Sequence, residues 1–444
     1  MRSIHLHYID SNGAGSNRKW AYQLLISPIM VGGHMNKKKC FIIMGITALL
    51  IVIVGIYLNV NRVDNTVSEP DYTSIGSEYQ LEDSQNYWSA IGIRDFTATE
   101  DGYFFLSTDM DNLMYFDYAT KEAVVACAKP ECKHKDFMCN AFMWNTPYVI
   151  DNIYYHKGYL YYLKYDSGVS VLVRMDSDGS NREEITQVMP SGQDSSTHLV
   201  FHGDYAYAYY EYAHYTLNEE YTEVIKRISL KDGSIKNIYE VDGTNITIAD
   251  VKSYGNKLYF AVWQQVKERS HNSKTLGLYS YDYDTEQIAM ISDENISDYC
   301  IIGEKGIFAY YVTGQGLYYS DINEHTTKLM IKSDKIYDMC ELSYDGNYVF
   351  MSNLSYQLNY SEDDRKKKCM VLSTDGNIIK EIACDNVANI YFGDSRCMFA
   401  WSSVNPHKYM YIDKSDIQNA DEWISFFGKK GKEQAATENG LISY

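Results

Sequence analysis

Proline is scarce in this chain, with 6 residues in 444. Proline removes a backbone donor and breaks ladders, so its rarity leaves long stretches free to pair as strands. Positive charge is also short. There are 40 Lys and Arg against 59 Asp and Glu, a formal net charge of −19. The part beyond residue 60 is more acidic still, because Lys37, Lys38 and Lys39 lie before it. Such a field repels nucleic acid and other anionic polymers, which excludes a nucleic-acid role, and it favours cations or basic partners. Much of this acidity does no more than keep a protein soluble. Catalytic signatures are missing as well. The chain has no G-x-S-x-G elbow, Walker A loop, Rossmann fingerprint or H-E-x-x-H pair.

What the sequence has in excess is tyrosine, at 43 residues. Tyrosine favours half-buried pleated surfaces, so the composition leans all-β. The organising stretch is Ser253–Met290. A glycine turn leads into the alternating strand KLYFAVW, and a second strand, Leu278–Tyr283, ends in an acidic turn before a short third. That is one antiparallel meander, the unit of a β-propeller. Aligning on the turn glycine gives seven copies, at Gly102, Gly158, Gly203, Gly255, Gly306, Gly346 and Gly393. They recur at the roughly 40–50-residue period of four-stranded blades. Asp and Gly in turns such as Asp176-Ser-Asp178-Gly179 supply hairpins, since both tolerate positive φ; calcium binding would need a glutamate further on.

Six positions before each glycine stand Phe96, Asn152, Thr197, Ala249, Cys300, Cys340 and Val387, mostly small or apolar. Inner strands packed between neighbouring blades require such residues, and Cys300 and Cys340 read as buried small side chains. The expected fold is therefore all-β: a β-propeller over residues 85–418 with seven four-stranded blades, six or eight being the alternatives. WD, kelch and sialidase signatures are absent from every copy. The last copy has a third strand at His407–Ile412 and no evident fourth. A strand from Asn86–Ile91 is expected to complete it and close the ring, leaving 419–444 as a short helix or disordered tail.

The stretch Cys40–Leu58 (CFIIMGITALLIVIVGIYL) carries no charge. At ~1.5 Å per residue it reaches roughly 28 Å, enough to cross the hydrocarbon core of a bilayer as one transmembrane helix. The preceding basic flank, 35–39, holds that end in the cytoplasm and sends the rest outside. A cleaved signal peptide would have a shorter apolar run and small residues at the cut, so an uncleaved signal anchor is expected. Residues 1–34 form no pattern, and Met35 begins an ordinary basic n-region, so 1–34 reads as a mis-assigned start or a disordered cytoplasmic segment. Peptides from Ser3–Ile29 in the native protein would overturn the mis-assigned start. Residues 59–84 are polar and aperiodic and read as a linker.

One compact constellation carries chemistry. Ala126–Asn140 reads ACAKPECKHKDFMCN, placing Cys127, Cys132, His134 and Cys139 in a C-x4-C-x-H-x4-C pattern. Three thiolates and an imidazole suit a closed tetrahedral structural Zn²⁺ site. Lys129, Lys133 and Lys135 would offset the thiolate charge. The spacing is not that of a standard zinc finger. A disulfide such as Cys127–Cys139 is an alternative outside the reducing cytosol, and free thiols are a third. In each case the expected role is a staple on the loop leaving the first blade.

The same CAKPECKHKDFMC motif, after a first blade and downstream of a basic apolar anchor, resembles that of TolB-like surface β-propeller proteins of low-GC Gram-positive anaerobes. The resemblance covers roughly residues 87–415. It implies the propeller fold and an extracytoplasmic place, and it implies no activity or substrate.

Weaker candidates have plainer readings. His198 and His202 share a strand face but stand ~13 Å apart when extended, too far to chelate one ion directly. The runs Tyr159–Tyr165 and Tyr205–Tyr215 would suit the floor of a sugar or peptide site, but packing of alternate tyrosines between blades is the favoured reading. The expected function is a membrane-anchored extracytoplasmic propeller that binds a glycan, peptide or protein without catalysis. The alternative is a glycan-acting hydrolase or lyase with carboxylates over the central channel.

Overall fold

In a computed structural model, residues 96–426 are described apart from short internal stretches, chiefly 107–111, 144–149, 191–195, 212–219, 266–272, 311–315, 333–339, 353–367 and 403–408. Seven four-stranded antiparallel sheets follow one another, each a simple meander of consecutive strands. Blade 1 spans Phe96–Val125, blade 2 Ile150–Pro190, blade 3 Ser196–Thr244 and blade 4 Ile246–Ser292. Blade 5 spans Ile296–Lys332, blade 6 Glu341–Ala383 and blade 7 Val387–Ser425. The chain is an all-β propeller of seven four-stranded blades.

Six of the seven aligned glycines fall at the hairpin joining the first and second strands of a blade, whereas Gly306 lies inside the second strand of blade 5 and Gly303, at φ +55°, takes the turn. The reason is local. Gly393 has φ +65°, and a Cβ there would meet the Cys397 carbonyl oxygen at 2.0 Å, so only glycine fits. The register residues behave alike: Phe96, Thr197, Ala249, Cys300, Cys340 and Val387 are all buried. Burial falls across each sheet. The first strands Phe96–Ala98 and Glu341–Tyr344 are buried throughout, whereas the fourth strand Glu122–Val125 alternates between exposed and half-buried. The first strand is therefore the inner one, as in other propellers.

Apolar clusters run continuously from blade to blade. Leu113 and Phe104 of blade 1 share a core with Ile153 and Leu160 of blade 2, and Leu163 joins blade 2 to Leu199 of blade 3. Val200 meets Leu258 in blade 4, Tyr259 continues to Tyr299 and Leu342, and Phe350 reaches Val387 in blade 7. The last contact closes the ring: Phe96, Phe105 and Phe116 of blade 1 pack with Tyr391, Phe399, Tyr409 and Phe426 of blade 7. Phe96 stacks on Phe399 at 4.7 Å between centroids and Phe116 on Phe426 at 4.6 Å. Such pairs add about 0.5–1.5 kcal/mol each beyond the area they bury.

The closure corrects one expectation. The outer strand of blade 7 is Ile424–Ser425, which pairs with Tyr411 and Met410 and lies in what reads from sequence as a tail beyond 418. It is reached through a short 3-10 segment, Lys414–Asn419, whose N-terminus is capped by Asp413. Two residues suffice for this strand because Phe426, immediately after it, is seated in the aromatic cluster. Asn86–Ile91, expected to provide the strand, lies outside the described residues, as do 1–34, the segment 40–58 and the linker 59–84. Among the described residues no helix is long and apolar enough to cross a membrane.

Candidate metal centre

Blade 1 ends at Val125, and the chain turns at once into the loop that carries the cysteines. Cys127, Cys132, His134 and Cys139 converge there, their ligand atoms all within 4.8 Å of one another. A tetrahedron with Zn–S near ~2.3 Å has S···S edges of about 3.8 Å, so the four atoms surround a space of the right size for one ion. His134 Nδ1 stands 3.4 Å from Cys139 Sγ. All three cysteines are free thiols.

Tight turns bring the four together. Cys132 N–H donates to Lys129 O at 3.3 Å, Cys139 N–H to Asp136 O at 3.0 Å and Phe142 N–H to Cys139 O at 3.2 Å. Glu131 and His134 adopt φ of 57° and 53°, left-handed conformations that fold the chain back between ligands. Non-glycine residues hold such backbone only where surroundings over-determine it. Those surroundings lie on two blades. Asn112 of blade 1 donates from Nδ2 to His134 O at 3.1 Å, and Leu113 N–H donates to Ala141 O at 2.7 Å. From blade 2, Arg182 Nη2 donates to the carbonyls of Asn140 at 2.6 Å and Phe142 at 2.9 Å, while Asp178 accepts from Asn140 Nδ2 at 3.2 Å. The loop is thus stitched across the first seam of the ring.

The thiols differ in electrostatics. Burial pushes Cys127 up, but the N–H groups of Lys129 and Asn140 with the thiols of Cys139 and Cys132 outweigh it and lower its pKa. Burial, reinforced by Cys127 and Cys132, pushes Cys139 up to about 12. Thiols this crowded resist ionising together unless a cation takes the charge. Lys129, one of the expected charge partners, donates Nζ to Met138 O at 2.6 Å and so braces the loop. The residues present fit a tetrahedral soft-ligand ion such as Zn²⁺, with all four positions filled by protein.

The other sequence candidates resolve differently. Asp176 and Asp178 form a turn: Asp178 accepts from Ser180 N–H at 3.0 Å and Asp176 from Asn181 Nδ2 at 2.7 Å, around Gly179 at φ +78°. The histidines of Ser196–His202 are not brought together. His198 packs beside the Tyr209 ring at 5.5 Å and His202 stacks on Tyr283 at 3.8 Å. Within the tyrosine runs, Tyr161, Tyr162, Tyr207 and Tyr209 are buried, and the exposed Tyr159 and Tyr205 are covered by Arg174 and Arg227.

Sequence reading missed a set of buried ionic latches between blades. Lys252 of blade 4 donates to Asp298 Oδ1 of blade 5 at 2.8 Å and to Tyr299 O at 2.5 Å, while Asp298 Oδ2 accepts Leu342 N–H of blade 6 at 2.6 Å. Lys414 of blade 7 meets Asp345 of blade 6 at 2.9 Å. Across the closing seam, Tyr103 donates to Asp394 at 2.6 Å, and Arg396 spans from Asp394 to the carbonyls of Thr99 and Glu100. Asp345 and Asp394 flank aligned turn glycines, which was the available signal; nothing in the sequence singles out Lys252 or Lys414.

No family model and no curated protein matches the chain. Among solved structures it is similar to a prolyl endopeptidase (TM-score 0.51, 10% identity, covering 78% of this chain and 50% of that one). It is also similar to an oligogalacturonate lyase in complex with manganese (TM-score 0.41, 12% identity, 60% and 75% covered). TolB from Acinetobacter baumannii is a third (TM-score 0.35, 13% identity, 62% and 61% covered). The chain spans about half the length of the endopeptidase. The neighbours thus include TolB-like propellers, and at these identities they show the fold alone.

Proposed function

We propose that this chain is a non-catalytic binding module, a rigid propeller held outside the cell by the Cys40–Leu58 segment, which recognises a glycan, peptide or protein. The observation that carries this reading is the use made of three of the buried acids. Asp298, Asp345 and Asp394 lie on inner strands or their turns, where a hydrolase or lyase would place its carboxylates. Each is neutralised by Lys252, Lys414 or Arg396 and also accepts backbone N–H bonds. Acids held this way serve as latches, because a paired and hydrogen-bonded carboxylate is poorly placed to move a proton.

Within this reading Cys127, Cys132, His134 and Cys139 hold a structural Zn²⁺. When bound, the ion supplies charge balance and a rigid node, and four protein ligands leave no position for substrate. The resemblance of the cysteine motif to that of extracytoplasmic TolB-like proteins supports the same placement. Screening the purified chain on glycan and peptide arrays tests the module. Retention of one class without turnover is expected, and cleavage of the retained ligand would favour the glycan-acting enzyme instead. Protease digestion of intact cells tests the placement: the acidic bulk should be shaved while the cells remain sealed.

A further inference from the structure

We infer that a groove between the metal loop and the turn of blade 2 is the binding site of the module, that its ligand is a neutral saccharide, and that the metal holds one wall. This deepens the binding-module reading and rests on it. The groove, of about 450 Å³, has Phe137, Asn140 and Phe142 of the loop on one side and Asn181 and Arg182 of the turn on the other. That volume lies within the roughly 300–1,000 Å³ of small-ligand sites. Phe137 is 69% exposed and Met138 64%, an adjacent pair that solvent disfavours. Both lie between His134 and Cys139, so ligation on either side fixes the backbone that presents them.

The chemistry selects a sugar. A bare aromatic ring offers a flat, electron-rich face to the C–H face of a pyranose. Planar amide and guanidinium groups beside it can donate to vicinal hydroxyls. Their orientation is set in advance, because Asn140 is tied to Asp178, Asn181 to Asp176, and Arg182 to the carbonyls of Asn140 and Phe142. Pre-orientation lowers the entropic cost of binding. A peptide is disfavoured because peptides commonly add to a strand edge, and the lining residues belong to the loop and the turn. Neutrality follows from two opposed fields: the net charge of −19 repels anionic polymers, while Arg182 in the wall and Lys129, Lys133 and Lys135 on the loop disfavour a cation. Cys139 belongs both to the ligand set and to the groove wall, so the metal and the groove share one piece of backbone.

The test uses the full zinc-loaded chain in detergent with four probes: cellohexaose, maltohexaose, mannohexaose and the hexamer of N-acetylglucosamine. At least one should bind. Phe137→Ala should weaken it about tenfold without changing the melting temperature, the loss of one stacking contact. Phe137→Trp should keep the affinity, with its emission shifting to the blue on binding. Chelation should weaken binding similarly, and added Zn²⁺ should restore it. Binding that ignores Phe137→Ala overturns this site and leaves the module intact. If the four sugars fail while arrayed peptides bind, the saccharide is wrong and the module stands. If neither binds, both fall.

Discussion

At the scale of single residues, the buried cations are the most exposed to change. Lys252 lies between Asp298 and the carbonyl of Tyr299, and its ring neighbour is Tyr299, 4.5 Å from Nζ. Lys252→Met would strand the Asp298 carboxylate inside the ring, which costs about 3–5 kcal/mol and should lower the urea midpoint accordingly. Adding Asp298→Asn should recover part of the loss. The pH dependence has a definite sign. Burial pushes the Lys252 pKa down, but Asp298 and Asp250 outweigh it and raise the pKa. Its contribution is therefore complete below the ordinary lysine value of ~10.4 and is lost as pH rises through the folded value. Burial also raises Tyr299 well above its usual value, so the unfolded chain releases that proton first and stability falls in the same direction. Burial likewise pushes Cys300 and Cys397 up to about 12 and raises Cys340 and Cys369. Urea midpoints should therefore begin to fall above about pH 8.5 and fall further beyond about pH 10, where the loss should be less steep in Lys252→Met. For the metal loop, Cys127→Ser or His134→Ala should abolish bound zinc by elemental analysis. Each should cost roughly 2–3 kcal/mol, a melting-temperature drop of about 4–6 °C at ~2 °C per kcal/mol. Metal-free protein with one intact Cys127–Cys139 bridge would end the zinc reading. The four-donor cluster was legible in the sequence because four soft donors within one short loop stand out in any chain. The groups that aim them were not, since Asn112 lies earlier in blade 1, Arg182 lies in blade 2, and neither belongs to a motif.

At the scale of elements, the glycine hairpins were readable because turn chemistry is local: Gly158, Gly203, Gly255, Gly346 and Gly393 have positive φ, which selects glycine whatever packs around it. The outer strand of blade 7 was not. Ile424–Ser425 has too few residues to show alternation, and it pairs because the aromatic cluster seats the next residue. Phe426 packs against Phe105 at 5.3 Å and Phe399 at 5.5 Å between centroids, so it joins the last blade to the first. Phe426→Ala should cost about 3–5 kcal/mol. Hydrogen exchange should then rise at Phe96–Ala98 and Tyr409–Asp413, the strands on either side of that seam, more than in blade 4. A uniform change across all blades would mean that the closing seam has no special weight.

At the scale of the whole molecule, the ring is a sum of seams, and each joins parts that the chain brings together late. Six seams link neighbours in sequence, whereas the seventh links Phe96 to Tyr391 and Phe399 across the entire domain. Net charge acts on this ring as self-repulsion. Raising ionic strength from about 10 to 150 mM should raise the melting temperature, since screening relieves like charge more than it weakens the buried latches; a fall would mean that surface ion pairs dominate. The sequence alone determined the strand class, the blade period, the turn positions and the four donors, because each depends on residues within one hairpin or one loop. Only the tertiary structure decided which segment closes the last sheet, which acids are locked to lysines, and which residues fix the metal loop to blade 2. These depend on groups brought together from different blades, and no local pattern of side chains encodes a neighbour that the chain meets only on closing the circle.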